Sequence, residues 1–133
     1  MPMLLIADNL QISRPDLAAA LDRRDPEPVF ELVGQCEAAG AQAIDINSGP
    51  LTRSPERKMT FLVEAAASVT RLPLLLDTAN PKALEAGLQA GKNYSNPLII
   101  NGFSLEPKKI DHILPLAKQF DAVIIGYLLF PDS

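Results

Sequence analysis

The stretch LLLDTANPKALEAGLQAGKNYSNPLIINGFS, from Leu74 to Ser104, contains two short apolar runs that each end in one polar residue, Asp77 and Asn101. Between the runs, Asn80-Pro81 matches the start of a helix, because asparagine caps free amides and proline suits the first turn. Gly91 stands where this helix is expected to end. The stretch therefore predicts a strand, a helix and a second strand, which is the unit of parallel sheets.

The same alternation extends along the whole chain. Five short apolar runs lack strict polar alternation, which indicates strands that are buried on both faces. Segments with helical spacing separate them, such as the one that contains Val29, Leu32 and Val33. The sequence thus predicts one domain over residues 1–133, an α/β fold with five parallel strands and four helices. The apolar runs are Met3–Ala7, Gln42–Ile46, Pro73–Asp77, Pro97–Asn101 and Ala122–Gly126.

Two architectures fit this order of elements. One is the N-terminal half of a (β/α)₈ barrel, a fold that typically needs about 250 residues. The other is an open, flavodoxin-like doubly wound sheet, for which five strands make a complete domain and which would suit an unrelated binding module. In both, ligand-binding groups gather at the C-terminal ends of the strands. The polar residues expected at these ends are Asp45, Asn47, Asp77, Thr78, Asn101 and Ser104.

Composition narrows the class of protein. Hydrophobic residues make up 47% of the 133 residues and charged residues 21%, which is typical of a folded globular chain. The net charge of −4 disfavours nucleic-acid binding, because an acidic surface repels phosphates. No apolar run approaches the roughly 20 residues that span a bilayer, and MPMLLIADNL does not read as a signal peptide. Cys36, the single cysteine, has no partner for a disulfide or a metal site, so a cytoplasmic protein without a bound metal is expected.

The polar strand ends suggest a ligand. The carboxylate of Asp77 offers two oxygens that can accept parallel hydrogen bonds from a planar donor pair. Asn101 offers one acceptor and two donors, so the two side chains complement a heterocycle such as the 2-amino-4-oxo pyrimidine ring of a pterin. The alternative is structural, because Asp and Asn at strand ends also form turns and cap the following helix.

Three segments carry a resemblance to a known family: RRDPEPVFELVGQCEAAGAQAIDINSGP, LLLDTANPKALEAGL and IINGFS. They resemble the pterin-binding methyltransferases, and most closely the methyltetrahydrofolate:corrinoid methyltransferases, which are related to dihydropteroate synthase. The resemblance implies the N-terminal half of a (β/α)₈ barrel. It also implies that Asp77 anchors the pterin, that Asn101 binds the same ring, and that Asp45 and Asn47 line the pocket.

The resemblance further implies methyl transfer from N5 of methyltetrahydrofolate to cobalamin or another corrinoid on a partner protein. The sequence departs from the family at ADNLQ, Ala7 to Gln11, where the family has a G-E-R-I-N type motif. The family's remaining pterin aspartate, and the asparagine linked to activation of the methyl-bearing nitrogen, lie on strands beyond the fifth. We therefore expect a chain that is catalytically incomplete alone, or else a non-catalytic pterin-binding protein or split-barrel subunit. A homodimer or a complementing chain would complete the barrel, with the apolar segment Tyr127–Phe130 at the interface.

Overall fold

A computed structural model describes residues 2–49 and 53–127 of the chain. It contains one sheet of five parallel strands in the order β1-β2-β3-β4-β5, which confirms the predicted α/β class. The strands are β1 (Ile6–Gln11), β2 (Ala43–Asn47), β3 (Leu74–Asp77), β4 (Ile99–Ser104) and β5 (Val123–Tyr127). The helices are α1 (Pro15–Arg23), α2 (Glu27–Ala38), α3 (Pro55–Val69), α4 (Pro81–Ala90) and α5 (Pro107–Phe120). None of the described helices has the length and apolar character needed to cross a membrane.

The strand order agrees with the barrel-type expectation. Consecutive strands are neighbours throughout, whereas a doubly wound sheet reverses its order at a switch point. Right-handed crossovers between consecutive parallel strands place successive helices on the same face of the sheet. The side chains of that face, Ile44, Ile46, Leu74, Leu76 and Ile100, form the hydrophobic core with the helices. In a barrel, the opposite face of the sheet would line the interior.

Residues 2–49 and 53–127 form five helices, so the prediction of four was wrong. The additional helix, α1, begins with Pro15 in its first turn and buries Leu17, Ala20 and Leu21. This i, i+3, i+4 spacing is helical, but the helix has only nine residues and lies just before α2. Its backbone turns out of the helix at Arg24, which adopts a left-handed conformation with a φ of 54°.

The first strand begins later in the chain than its apolar run. The sequence predicts a strand at Met3–Ala7, but β1 is Ile6–Gln11, and Met3, Leu4 and Leu5 are exposed. Pairing with β2 fixes this position, because Ile6 pairs with Ala43 and Gln11 with Asn47. The register shifts between Ala7 and Leu10, where the polar pair Asp8-Asn9 is accommodated in a bulge-like irregularity.

The helix boundaries follow local side-chain chemistry at most of the predicted positions. Asn80 caps α4, since its Oδ1 accepts hydrogen bonds from the backbone amides of Lys82 at 2.8 Å and Ala83 at 3.0 Å. Gly40 follows α2 with a φ of 94°, and Gly91 ends α4. Ser54, which precedes α3, makes no capping hydrogen bond with its side chain.

Candidate functional site

The register of β2, β3 and β4 places the four predicted site residues on the face of the sheet that is turned away from the helices. Successive side chains of a strand alternate between faces. Ile44 and Ile46 face the helices, so Asp45 and Asn47 face the other way. On β3, Asp77 pairs directly with Asn47. On β4, Asn101 follows Ile100, which faces the helices, and so joins the same face.

One pair of these side chains connects β2 to β3. Asn47 Nδ2 donates to Asp77 Oδ2 at 3.3 Å, and Asn47 Oδ1 accepts from the backbone amide of Gly49 at 2.8 Å. Both ends of the Asn47 amide are therefore engaged inside the protein. Asn47 holds Asp77 in place through Oδ2, and Asp77 Oδ1 has no hydrogen-bond partner among the described residues.

The second pair connects β2 to β4 across β3. Asn101 Nδ2 donates to Asp45 Oδ2 at 2.5 Å. Asp45 is only 4% exposed, whereas Asn101 is half-buried, so Asn101 is the member of the pair that a ligand can reach. Asn101 Oδ1 accepts a hydrogen bond from the Tyr127 hydroxyl at 3.4 Å, which is long for this type of bond. The structure thus brings the four predicted residues together as two bonded pairs.

The two carboxyl groups of the site hold their protons more tightly than ordinary aspartates. Burial raises the pKa of Asp45 to about 6; the hydrogen bond from Asn101 opposes this rise, while the charges of Asp77 and Asp8 add to it. Burial also raises the pKa of Asp77, against the hydrogen bond from Asn47. Shifts of this kind, caused by burial and by neighbouring charges, are concentrated at functional sites.

Other polar residues at the same end of the sheet serve the local fold. Thr78 Oγ1 accepts from the backbone amide of Asn80 at 3.2 Å, and Ser104 Oγ accepts from Lys109 Nζ at 3.2 Å. Gln11 Nε2 donates to the backbone carbonyl of Asp8 at 2.8 Å. Thr78 thus contributes to the turn that precedes α4.

Sequence reasoning missed the role of Tyr127, which it placed only in an apolar terminal segment. The remainder of that segment, Leu128–Phe130, lies outside the described residues. Tyr127 pairs in register with Ser104, and its ring lies against Gly102, whose φ is 92°. A Cβ on Gly102 would lie 2.4 Å from Tyr127 Cε2, so the ring needs a glycine there. In the register of β5 with β4, Asn101 pairs with Ile125, so the contact of the Tyr127 hydroxyl with Asn101 had no signal in the sequence.

The site offers a set of acceptors and one unused hydroxyl. Asp77 Oδ1 and Asn101 Oδ1 can both accept hydrogen bonds from a ligand. Ser48, which follows β2, has a buried hydroxyl without a hydrogen-bond partner among the described residues. Within residues 2–49 and 53–127 no group of three or more His, Cys, Asp or Glu side chains is arranged to bind a metal ion. The arrangement can therefore accept hydrogen bonds at the oxygens of Asp77 and Asn101, and Ser48 adds a hydroxyl group.

A separate cleft of about 830 Å³ lies between the end of α1 and the start of α3. Arg24, Arg53 and Arg57 line it, together with the acidic residues Asp22, Glu56 and Glu64. Lys58 also lines the cleft, so four basic residues lie beside three acidic ones and the charges nearly balance.

Comparison of the sequence with protein-family models finds no match. The fold and the site together define a parallel α/β protein with a polar, ligand-accessible cluster at the C-terminal ends of β2, β3 and β4.

Proposed function

We propose that this protein binds a pterin or a reduced folate through Asp77 and Asn101, as a protein of the methyltetrahydrofolate:corrinoid methyltransferase type. One observation carries the proposal: Asp45, Asn47, Asp77 and Asn101 lie on one face of the sheet in two bonded pairs. Asp77 Oδ1 has no hydrogen-bond partner among the described residues, and Asn101 Oδ1 has only the long contact with the Tyr127 hydroxyl. The resemblance of the sequence to pterin-binding methyltransferases assigns the same four positions to the pterin pocket.

The chemistry of the ring fits these acceptors. A 2-amino-4-oxo pyrimidine carries an amino group next to a ring N–H, and a carboxylate can accept both hydrogens in parallel. Partial burial of Asp77 strengthens such a charge-assisted bond, because fewer water molecules compete for the carboxylate. Asn101 accepts a further hydrogen from the same ligand, provided that the weakly held Tyr127 hydroxyl shares or leaves its Oδ1.

Calorimetric titration with tetrahydrofolate tests this assignment. Asp77→Ala removes a charged acceptor, which is worth about 1.5–3 kcal/mol, so affinity should fall roughly tenfold to a hundredfold. Asp111→Ala, an exposed aspartate on α5, is the matched control and should bind like the wild type. Equal affinity of wild type and Asp77→Ala would refute the assignment of Asp77.

We further propose that the complete reaction moves the methyl group from N5 of methyltetrahydrofolate to a corrinoid on a partner protein. A tertiary amine loses a methyl group only when its nitrogen is protonated or strongly hydrogen-bonded. The resemblance assigns that task to an asparagine beyond the fifth strand, which has no counterpart among residues 2–49 and 53–127. We therefore expect the 133-residue chain to bind methyltetrahydrofolate without methylating a reduced corrinoid, as followed by corrinoid absorbance. Steady methylation that Asp77→Ala abolishes would contradict this expectation and would establish an active enzyme.

The assembly we propose is a homodimer that closes a barrel-like core. The strands β1 and β5 are the edges of the described sheet, and Leu5 and Val123 beside them are 50% and 51% exposed. Edges of a buried parallel sheet are costly in water, and a two-fold axis would pair β1 of each protomer with β5 of the other. Such an interface would bury more than about 2,000 Å² in total. Light scattering should give twice the chain mass, and a folded species of single-chain mass at micromolar concentration would exclude the dimer.

A further inference from the structure

Asn101 is held between two partners of opposite hydrogen-bonding character. Its Nδ2 donates to Asp45 Oδ2, and its Oδ1 accepts from the Tyr127 hydroxyl. An ionised carboxylate has no hydrogen to donate, so only the amide nitrogen of Asn101 can bond to it. Rotation of the amide by half a turn would bring its oxygen against the carboxylate and would leave buried Asp45 without this donor.

We infer that Asp45 is a positioning residue, which fixes the side-chain amide of Asn101 with its carbonyl oxygen toward Tyr127 and the exposed side of the cluster. Asp45 is almost inaccessible to solvent, so it acts through Asn101 and not by touching a ligand. Asn47 does the equivalent for Asp77, because it occupies Oδ2 and leaves Oδ1 available. The consequence for the ligand rests on the proposed function: Asn101 accepts a hydrogen bond from the heterocycle and does not donate one.

Protonation of Asp45 removes the preference of the Asn101 amide for one orientation. A neutral carboxyl group has both a donor and an acceptor, so it supports either orientation of the Asn101 amide. The charged groups that act on Asp45 are Asp77 on β3 and Asp8 on β1, and both favour its protonation, as does burial. Because the pKa of Asp45 is raised to about 6, the amide orientation is fixed above that pH and becomes free below it.

A ligand-free experiment tests the orientation directly. In heteronuclear NMR, the Asn101 side-chain NH₂ signals, identified by their absence from Asn101→Ala, should shift with a midpoint near the pKa of Asp45. Asp45→Asn keeps the side-chain volume but supports both orientations at every pH, so its Asn101 signals should not titrate. Tyr127→Phe removes only the 3.4 Å contact and should keep the titration. Signals that stay constant in the wild type, or that titrate equally in Asp45→Asn, would overturn the inference.

The affinity for tetrahydrofolate provides the second measurement. If Asp45→Asn populates the two orientations equally, half of the molecules are competent and affinity falls about twofold at pH near 7.5. This difference from the wild type should disappear near pH 5, where both proteins lack a charge at position 45. Equal affinities at every pH would overturn the inference and leave the proposed function intact. If the Asn101 signals of the wild type titrate as expected but neither the wild type nor any variant binds tetrahydrofolate, the proposed function is refuted and the positioning role of Asp45 is supported.

Discussion

Replacing Asp45 with asparagine should stabilise the protein at neutral pH and should flatten the dependence of its stability on pH. Burial raises the pKa of this carboxyl group from 3.8 to about 6, so the folded protein binds the proton more tightly than the unfolded chain does. The stability that depends on this proton is therefore fully present below pH 3.8, the pKa of the group in the unfolded chain. It is lost as the pH rises from that value through the folded pKa.

The structure gives the size of the effect. A difference of about two pKa units corresponds to roughly 3 kcal/mol, which is an upper bound. Asp77 and Asn101 are only half-buried, so solvent screens part of the cluster. The expected loss in the free energy of unfolding between low and neutral pH is therefore about 1–2 kcal/mol. Asparagine at position 45 keeps the volume and can still accept the hydrogen bond from Asn101, but it carries no charge to bury.

Urea unfolding followed by circular dichroism, at one protein concentration and at several pH values between about 4 and 8, measures this difference. Wild type and Asp45→Asn should have similar free energies of unfolding near pH 4, and the variant should be more stable near pH 7. Asp111→Asn, on the exposed side of α5, is the control and should follow the wild-type profile. Wild-type and Asp45→Asn profiles that remain parallel across this range would refute the reasoning.

Two further predictions concern local structure and use matched pairs of variants in chemical denaturation. Asn80→Ala removes two capping hydrogen bonds and should lower the free energy of unfolding by about 1 kcal/mol. Ser54→Ala, at a helix start without a side-chain cap, should change it by less than about 0.5 kcal/mol. Equal effects of the two substitutions would contradict the capping assignment. Gly102→Ala must adopt a φ near 92° against the Tyr127 ring and should cost about 1–3 kcal/mol. Gly34→Ala, inside α2 with open space around it, should instead stabilise the protein by about 0.5–1 kcal/mol, and a loss of stability there would show an unrecognised contact.

Much of the sheet could be predicted from the sequence, because strands buried on both faces appear as uninterrupted apolar runs. The runs that end at Asp77 and near Asn101 became β3 and β4, with Asn80 as the cap between them. The first apolar run did not predict the bounds of β1 correctly, because pairing with β2 determines which residues of a strand enter the sheet. Met3–Leu5 is apolar but extends past the start of β2, whereas the polar Asp8-Asn9 is drawn into β1.

The internal organisation of the site could not be predicted, because it depends on register across strands. The sequence placed Asp45, Asn47, Asp77 and Asn101 at strand ends, but it could not show that Asn47 would bond to Asp77 and Asn101 to Asp45. Those pairings separate the residues into two kinds: Asp77 and Asn101 are the ones that the proposed ligand would contact, and the two residues of β2 hold them. The resemblance divides the four residues in the same way, because it assigns ring binding to Asp77 and Asn101 and the lining of the pocket to Asp45 and Asn47.

The position of Asp45 in the sheet supports the binding role proposed for the cluster over a purely stabilising one. Asp45 pairs in register with Leu75 on β3, and Leu75 pairs with Ile99 on β4. An aliphatic side chain at position 45 would complete this row of apolar residues without burying a charge. Because burial raises the pKa of Asp45, we expect the carboxylate instead to lower stability at neutral pH, while its hydrogen bond reaches over β3 to Asn101. A fold that needed only a sheet has no use for this arrangement, whereas a site that must present an oriented acceptor does.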